Sequence, residues 1–203
     1  MDAERSTPGR AGAAPRRDRA RDPRRRHIVL IGLMGAGKTS VGLRLARLVG
    51  RPFVDSDMIV ALDHGRPPVE LEHDTDTETL HAAELAALRR VVADRDPVVY
   101  AAAASVMDAD ADAGVDEELA DAWVVWLDGP PEVLADRLVG DHPRPALGDD
   151  PASTLREQAA QRRGRGRELA DLCVDVTGDD PTGLAELIRD AWHERHPLEV
   201  ADG

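Results

Sequence analysis

Residues 32–39 read GLMGAGKT and fit G-x-x-x-x-G-K-[ST] with no mismatch. Gly32, Gly35 and Gly37 let the main chain curl until successive N–H groups face one point, a nest that takes phosphate oxygens. Ala36 and Ser40 lie in or beside the same cradle. Lys38 can reach the β- and γ-phosphates, and the Thr39 hydroxyl can ligate Mg2+. A second cluster follows in FVDSD, where strand alternation sets Asp55 and Asp57 on one face near those phosphates. One carboxylate could hold Mg2+ through water, and the other could take the proton of an attacking hydroxyl. Asp57 also precedes the apolar run MIVAL, so capping a helix is a second reading of it. No NKxD-like guanine reader is present. The chemistry these residues suit is phosphoryl transfer to a small hydroxylated molecule, by positioning and charge neutralisation.

Such residues need a frame. HIVLIG, PFVDSD, PVVYA, WVVWLD and LCVDVTG read as short buried strands. TSVGLRLARLVG, the stretch from Thr77 to Asp94, PPEVLADRLV, ASTLREQAAQRR and PTGLAELIRDAW read as helices. Strands alternating with helices predict an α/β fold, a parallel sheet covered on both faces. The phosphate loop then sits where it should, after a strand and opening a helix.

A chain of 203 residues suffices for one such domain, expected over 27–195. Residues 1–26 are rich in Arg, Pro, Ala and Gly without apolar periodicity, and read as a disordered, solvated tail. A transit peptide or a nucleic-acid arm is the other reading of that tail. Residues 196–203 read as a C-terminal tail. A net charge of −13 argues against a general nucleic-acid binder, though not against one bound nucleotide. Cys173 has no partner for a disulfide, no run is long enough to span a membrane and no signal peptide is visible. These features point to a cytoplasmic protein, expected to work as a monomer.

The sequence resembles the shikimate kinases. The likeness covers about residues 27 to 195 and rests on IVLIGLMGAGKTSVGLRLA, PFVDSD, VVWLDGPPEVLADRL, Arg144–Pro145 and the LAD before the last strand. It implies a three-layer α/β/α fold of the nucleoside-monophosphate-kinase type, with a five-stranded parallel sheet and a mobile lid near 140–152. Acceptor-binding helices are implied near 58–93. It implies ATP and Mg2+, and transfer of phosphate to a ring hydroxyl of shikimate. By position, it makes Asp55 the indirect metal ligand and Asp57 the group that holds and deprotonates the hydroxyl. Lys38 and Arg144 would neutralise the transferred phosphate. Arg137 and Pro181 would border the adenine. Arg162 or Arg163, according to the direction of counting, would grip the acceptor's carboxylate. A solvated basic patch is the plainer reading of that RRGRGR cluster.

The resemblance fails on the acceptor side. Ala102, Ala103 and Ala104 stand at a triple glycine whose backbone lies against the substrate ring. They could keep its path with a shallower pocket, or begin a helix one turn early. His81 stands at a second carboxylate-gripping arginine, with Glu84 as its supporting acid; Arg89 replaces it only with an insertion. A neutral imidazole cannot make the two-pronged contact of a guanidinium. Three functions remain open: shikimate phosphorylation, phosphorylation of another small acceptor, and nucleotide binding without catalysis.

Overall fold

The computed structural model describes residues 26–196 apart from 75, 109–113, 139–146, 149 and 179. Five parallel strands form one sheet: β1 Ile28–Gly32, β2 Phe53–Asp55, β3 Val99–Ala101, β4 Trp123–Asp128 and β5 Leu172–Asp175. Their order is β2-β3-β1-β4-β5. Ile28 stands beside Val99 on one side and Trp123 on the other, and Asp55 stands beside Ala101. β1 is buried along its whole length, as its unbroken apolar run requires. Each expected strand is present, and the three-layer α/β/α class holds.

Eight helices alternate with the strands among the described residues: α1 Lys38–Val49, α2 Ser56–His64, α3 Pro68–Asp74, α4 Thr77–Val92, α5 Val115–Glu118, α6 Pro131–Asp136, α7 Pro151–Leu169 and α8 Pro181–Arg195. Their starts are chemically marked. The side chains of Asp76, Asp150 and Asp180 accept from the first-turn amides of α4, α7 and α8, and proline opens the last two. α1 ends where Gly50 turns left-handed and its N–H reaches the carbonyl of Ala46. α1 packs on α8, α6 on α7, and α2 on α4.

Helix α7 begins inside the stretch expected to be lid, because Asp150 caps it and Pro151 presets its first turn. Residues 140–146 of that stretch, with Arg144, lie outside the described residues, as do residues 1–25 and 197–203. No helix among the described residues is long and apolar enough to cross a membrane.

Candidate active site

The site lies at the carboxyl ends of β2, β3, β1 and β4. β1 is the switch point: its neighbours β3 and β4 leave in opposite directions along the sheet. The phosphate loop runs from the end of β1 into α1. Gly35 has φ +78°, and a Cβ there would lie 2.4 Å from the carbonyl oxygen of Leu134 in α6. Only glycine fits this close approach. Lys38 folds back over the loop, its Nζ donating to the carbonyls of Gly32 at 2.8 Å and Leu33 at 3.2 Å. Burial brings the Lys38 ammonium down to about 8, while Asp57, Asp55 and Glu84 push it back up and Arg162 adds to the lowering. These charged groups therefore share one electrostatic neighbourhood.

Asp55 is the joint between the two halves of the site. Its Oδ2 accepts from the Thr39 hydroxyl at 2.7 Å, and its Oδ1 accepts from the amide of Asp57 at 3.1 Å. The cap of α2 is thus Asp55, and Asp57 lies in the first helical turn. This corrects the expectation that alternation along a strand aligns the two carboxylates. The strand stops at Asp55, and Asp57 falls in the first turn of a capped helix, close enough to Lys38 for their charges to interact. Thr39 and Asp55 offer only oxygen donors, which suits a small hard ion that takes its other ligands from water and phosphate.

Beyond Asp57 the acceptor side is made of side chains from three segments. Ala102 continues the line of β3, its amide donating to Leu30 at 3.0 Å, and Ala103 is also extended. A short 3-10 turn over Ala104–Met107 follows. The alanine run therefore keeps an extended path rather than entering a long helix, and every described non-glycine residue has negative φ. Ser105 Oγ, in that turn, donates to Glu84 Oε2 of α4 at 2.5 Å. Burial pushes the Glu84 carboxyl up to about 7, with Asp57 adding to the rise and Ser105, Arg162 and Lys38 opposing it. Asp108 closes the turn, its amide donating to the carbonyl of Ser105 at 2.9 Å. Its carboxylate receives both prongs of Arg162: Nε donates to Oδ1, and Nη2 to Oδ2 at 3.0 Å. His81 Nδ1 lies 3.5 Å from the same Oδ2.

Helix geometry separates the two arginines. Neighbouring residues on a helix point about 100° apart, so both cannot face one pocket. Arg162 faces the acceptor side, whereas Arg163 turns to Asp128 and the carbonyl of Gly129 at the end of β4. The rest of the basic cluster is paired as well: Arg165 with Asp116, and Arg167 with Asp128. Arg162 is buried in its pair, whereas Arg167 stays largely in solvent. On the nucleotide side, Arg137 Nη2 donates to the carbonyl of Val176 at 2.5 Å, leading into the turn that Pro181 follows. Arg44 of α1 donates to Thr182 at 3.2 Å and joins the start of α8 to the phosphate-loop helix. Arg89 pairs with Glu118, away from the Asp108 cluster.

Sequence reasoning missed Asp108 and Ser105. Asp108 sits in the acid-rich DADADAG, where nothing separates it from surface carboxylates. The one local signal is its place straight after the buried residues Val106 and Met107.

Comparison with known proteins gives the family. The family model described as "Shikimate kinase" matches residues 34–192. The shikimate kinase of Symbiobacterium thermophilum is 39% identical over 140 residues, covering 68% of this chain and 79% of its own. That of Moorella thermoacetica is 35% identical over 170 residues, covering 81% and 93%. The structure of the shikimate kinase from Acinetobacter baumannii in complex with shikimate superposes with a TM-score of 0.77 at 27% identity. It covers 85% of this chain and 96% of that one.

Proposed function

The chain belongs to the shikimate kinase family, and from that premise we propose that it moves the γ-phosphoryl group of ATP onto a hydroxyl of shikimate or a closely related small acceptor, with Asp57 as the base. The observation that carries this reading is the chain from the Thr39 hydroxyl through the Asp55 carboxylate to the Asp57 amide, which ties the phosphate loop to the helix start that bears Asp57. In this reading Asp57 takes the proton of the acceptor hydroxyl. The freed oxygen forms the new P–O bond as the bond to the β,γ-bridging oxygen breaks, leaving ADP. Lys38 and the loop amides offset the charge on the phosphates, and Arg144 adds a further positive charge from the Pro/Gly/Asp-rich stretch before α7. Arg137 and Pro181 border the adenine. Ala102, Ala103 and Ala104 wall the acceptor, and Arg162 with His81 flanks it.

Thr39 directly, and Asp55 through water, would hold Mg2+. When bound, such an ion would supply positive charge that offsets the charge on the transferred phosphate. The same reading has the protein working as a monomer in the cytoplasm, in keeping with its single cysteine.

The test is purified protein with Mg-ATP and a panel of shikimate and related cyclic polyols, following ADP release and phosphorus NMR of the product. A phosphorylated acceptor, lost in Asp57→Asn while nucleotide still binds, is expected. ATP binding with no acceptor-dependent ADP would favour a nucleotide-gated binding protein instead.

A further inference from the structure

We propose that Asp108 is a built-in carboxylate that fills the anion seat formed by Arg162 and His81, so that the acceptor pocket selects a small polyhydroxylated molecule without a carboxylate. This inference deepens the phosphotransfer reading above and rests on it. A planar guanidinium offers one best face to a carboxylate, two parallel N–H donors in a fork. Asp108 takes both from Arg162, and His81 stands 3.5 Å from the same carboxylate. The arginine side chain is only 11% exposed and the aspartate 23%, so the pair is held in the wall rather than waving in solvent.

Asp108 is not carried on a free loop. Its amide is bonded to the carbonyl of Ser105, and Ser105 is bonded to Glu84 of α4. The turn thus pins the carboxylate against the arginine from two sides. An incoming carboxylate would have to break a two-pronged charged pair and leave Asp108 without its cation, both costly in a partly desolvated site.

The remaining charge around the acceptor points the same way. Asp57 and Glu84 add two more carboxyl groups, and burial with Asp57 nearby already holds Glu84 up near 7. Lys38 is committed to the phosphate loop. A second anion meets no unengaged cation among these residues, whereas hydroxyl groups can donate to Asp57, Glu84 and Asp108 together.

The experiment compares shikimate with its uncharged carboxamide and with carboxyl-free cyclic polyols, in the wild type and in Asp108→Ala and Asp108→Asn, reading kcat/KM from ADP release. Circular dichroism and nucleotide binding check that each variant is folded, and the asparagine variant keeps the size of the side chain while removing its charge. The wild type should prefer the carboxyl-free acceptor by roughly tenfold or more. Both variants should raise kcat/KM for shikimate by about tenfold to a hundredfold and narrow or reverse that preference. Wild-type turnover of shikimate as efficient as that of its carboxamide, unmoved by either substitution, overturns the inference while leaving the phosphotransfer reading intact. No ADP from any acceptor in any form, with nucleotide bound, overturns the phosphotransfer reading itself and the inference with it.

Discussion

The two halves of the site are built from different materials. The nucleotide half is main chain: a glycine loop seated against α6, a helix start and a lysine bonded to loop carbonyls. The acceptor half is side chain: Glu84, Ser105, Asp108 and Arg162, drawn from segments far apart in sequence and bonded to one another. A backbone nest is hard to change without losing the fold around it. A side-chain network can be rewired by single substitutions. The comparison teaches why a member of a kinase family can hold its donor site constant while the acceptor site drifts.

The sharpest way to break this division is Asp57→Asn. If Asp57 serves the acceptor half alone, kcat should fall by about a thousandfold while the ATP dissociation constant moves less than about threefold. Isothermal calorimetry beside steady-state kinetics reads both. A large loss of ATP affinity would place Asp57 in the nucleotide half instead.

Gly35→Ala probes the other side. A Cβ at φ +78°, 2.4 Å from a backbone oxygen, forces the loop off its seat. ATP binding should weaken by at least about tenfold, and stability should fall by about 2 kcal/mol or more in a denaturant titration. Binding of the acceptor alone should stay within about twofold.

Glu84→Gln sharpens the account of the acceptor half through pH. The folded value near 7 lies above the ordinary 4.5, so the folded state keeps a proton the unfolded state has lost. The wild type should therefore lose stability as pH rises from about 4.5 to 7 and then level off, by on the order of 2 kcal/mol from this group. The glutamine variant should lack that fall. Melting temperatures across pH 4 to 8 decide it, and parallel curves for the two proteins would remove Glu84 from the buried cluster.

The smallest effect is expected from His81→Arg alone. Asp108 stands ready to neutralise the new charge, so kcat/KM for a carboxylate acceptor should change less than about threefold. A large gain would show that Asp108 does not hold the seat.

The same division governed what could be read in advance. The phosphate loop is eight consecutive residues whose geometry follows from local backbone rules, and the five strands follow from short apolar runs between helices. The chemistry of Asp55 and Asp57 is plain in the sequence, but their relative placement is not, because a three-residue strand ending in its own helix cap leaves too little pattern to see. The alanine run was legible as a departure, though its path depended on the bond from Ala102 to Leu30 in a neighbouring strand. Arg162 and Arg163 are adjacent and alike in sequence, and only the rotation of α7 gives them different partners. Asp108 stayed hidden because its meaning comes from an arginine more than fifty residues away, at a separation of 54.

One side chain crosses the boundary between these halves. With one oxygen on the Thr39 hydroxyl and the other on the Asp57 amide, Asp55 behaves as a rigid spacer of fixed length. A glutamate in its place could satisfy either end but would overshoot the other by one methylene, and an asparagine, its oxygen on the Asp57 amide, would reverse the bond to the Thr39 hydroxyl and remove the charge. The gauge of this active site, the gap between donor and acceptor chemistry, is set by the span of a single carboxylate.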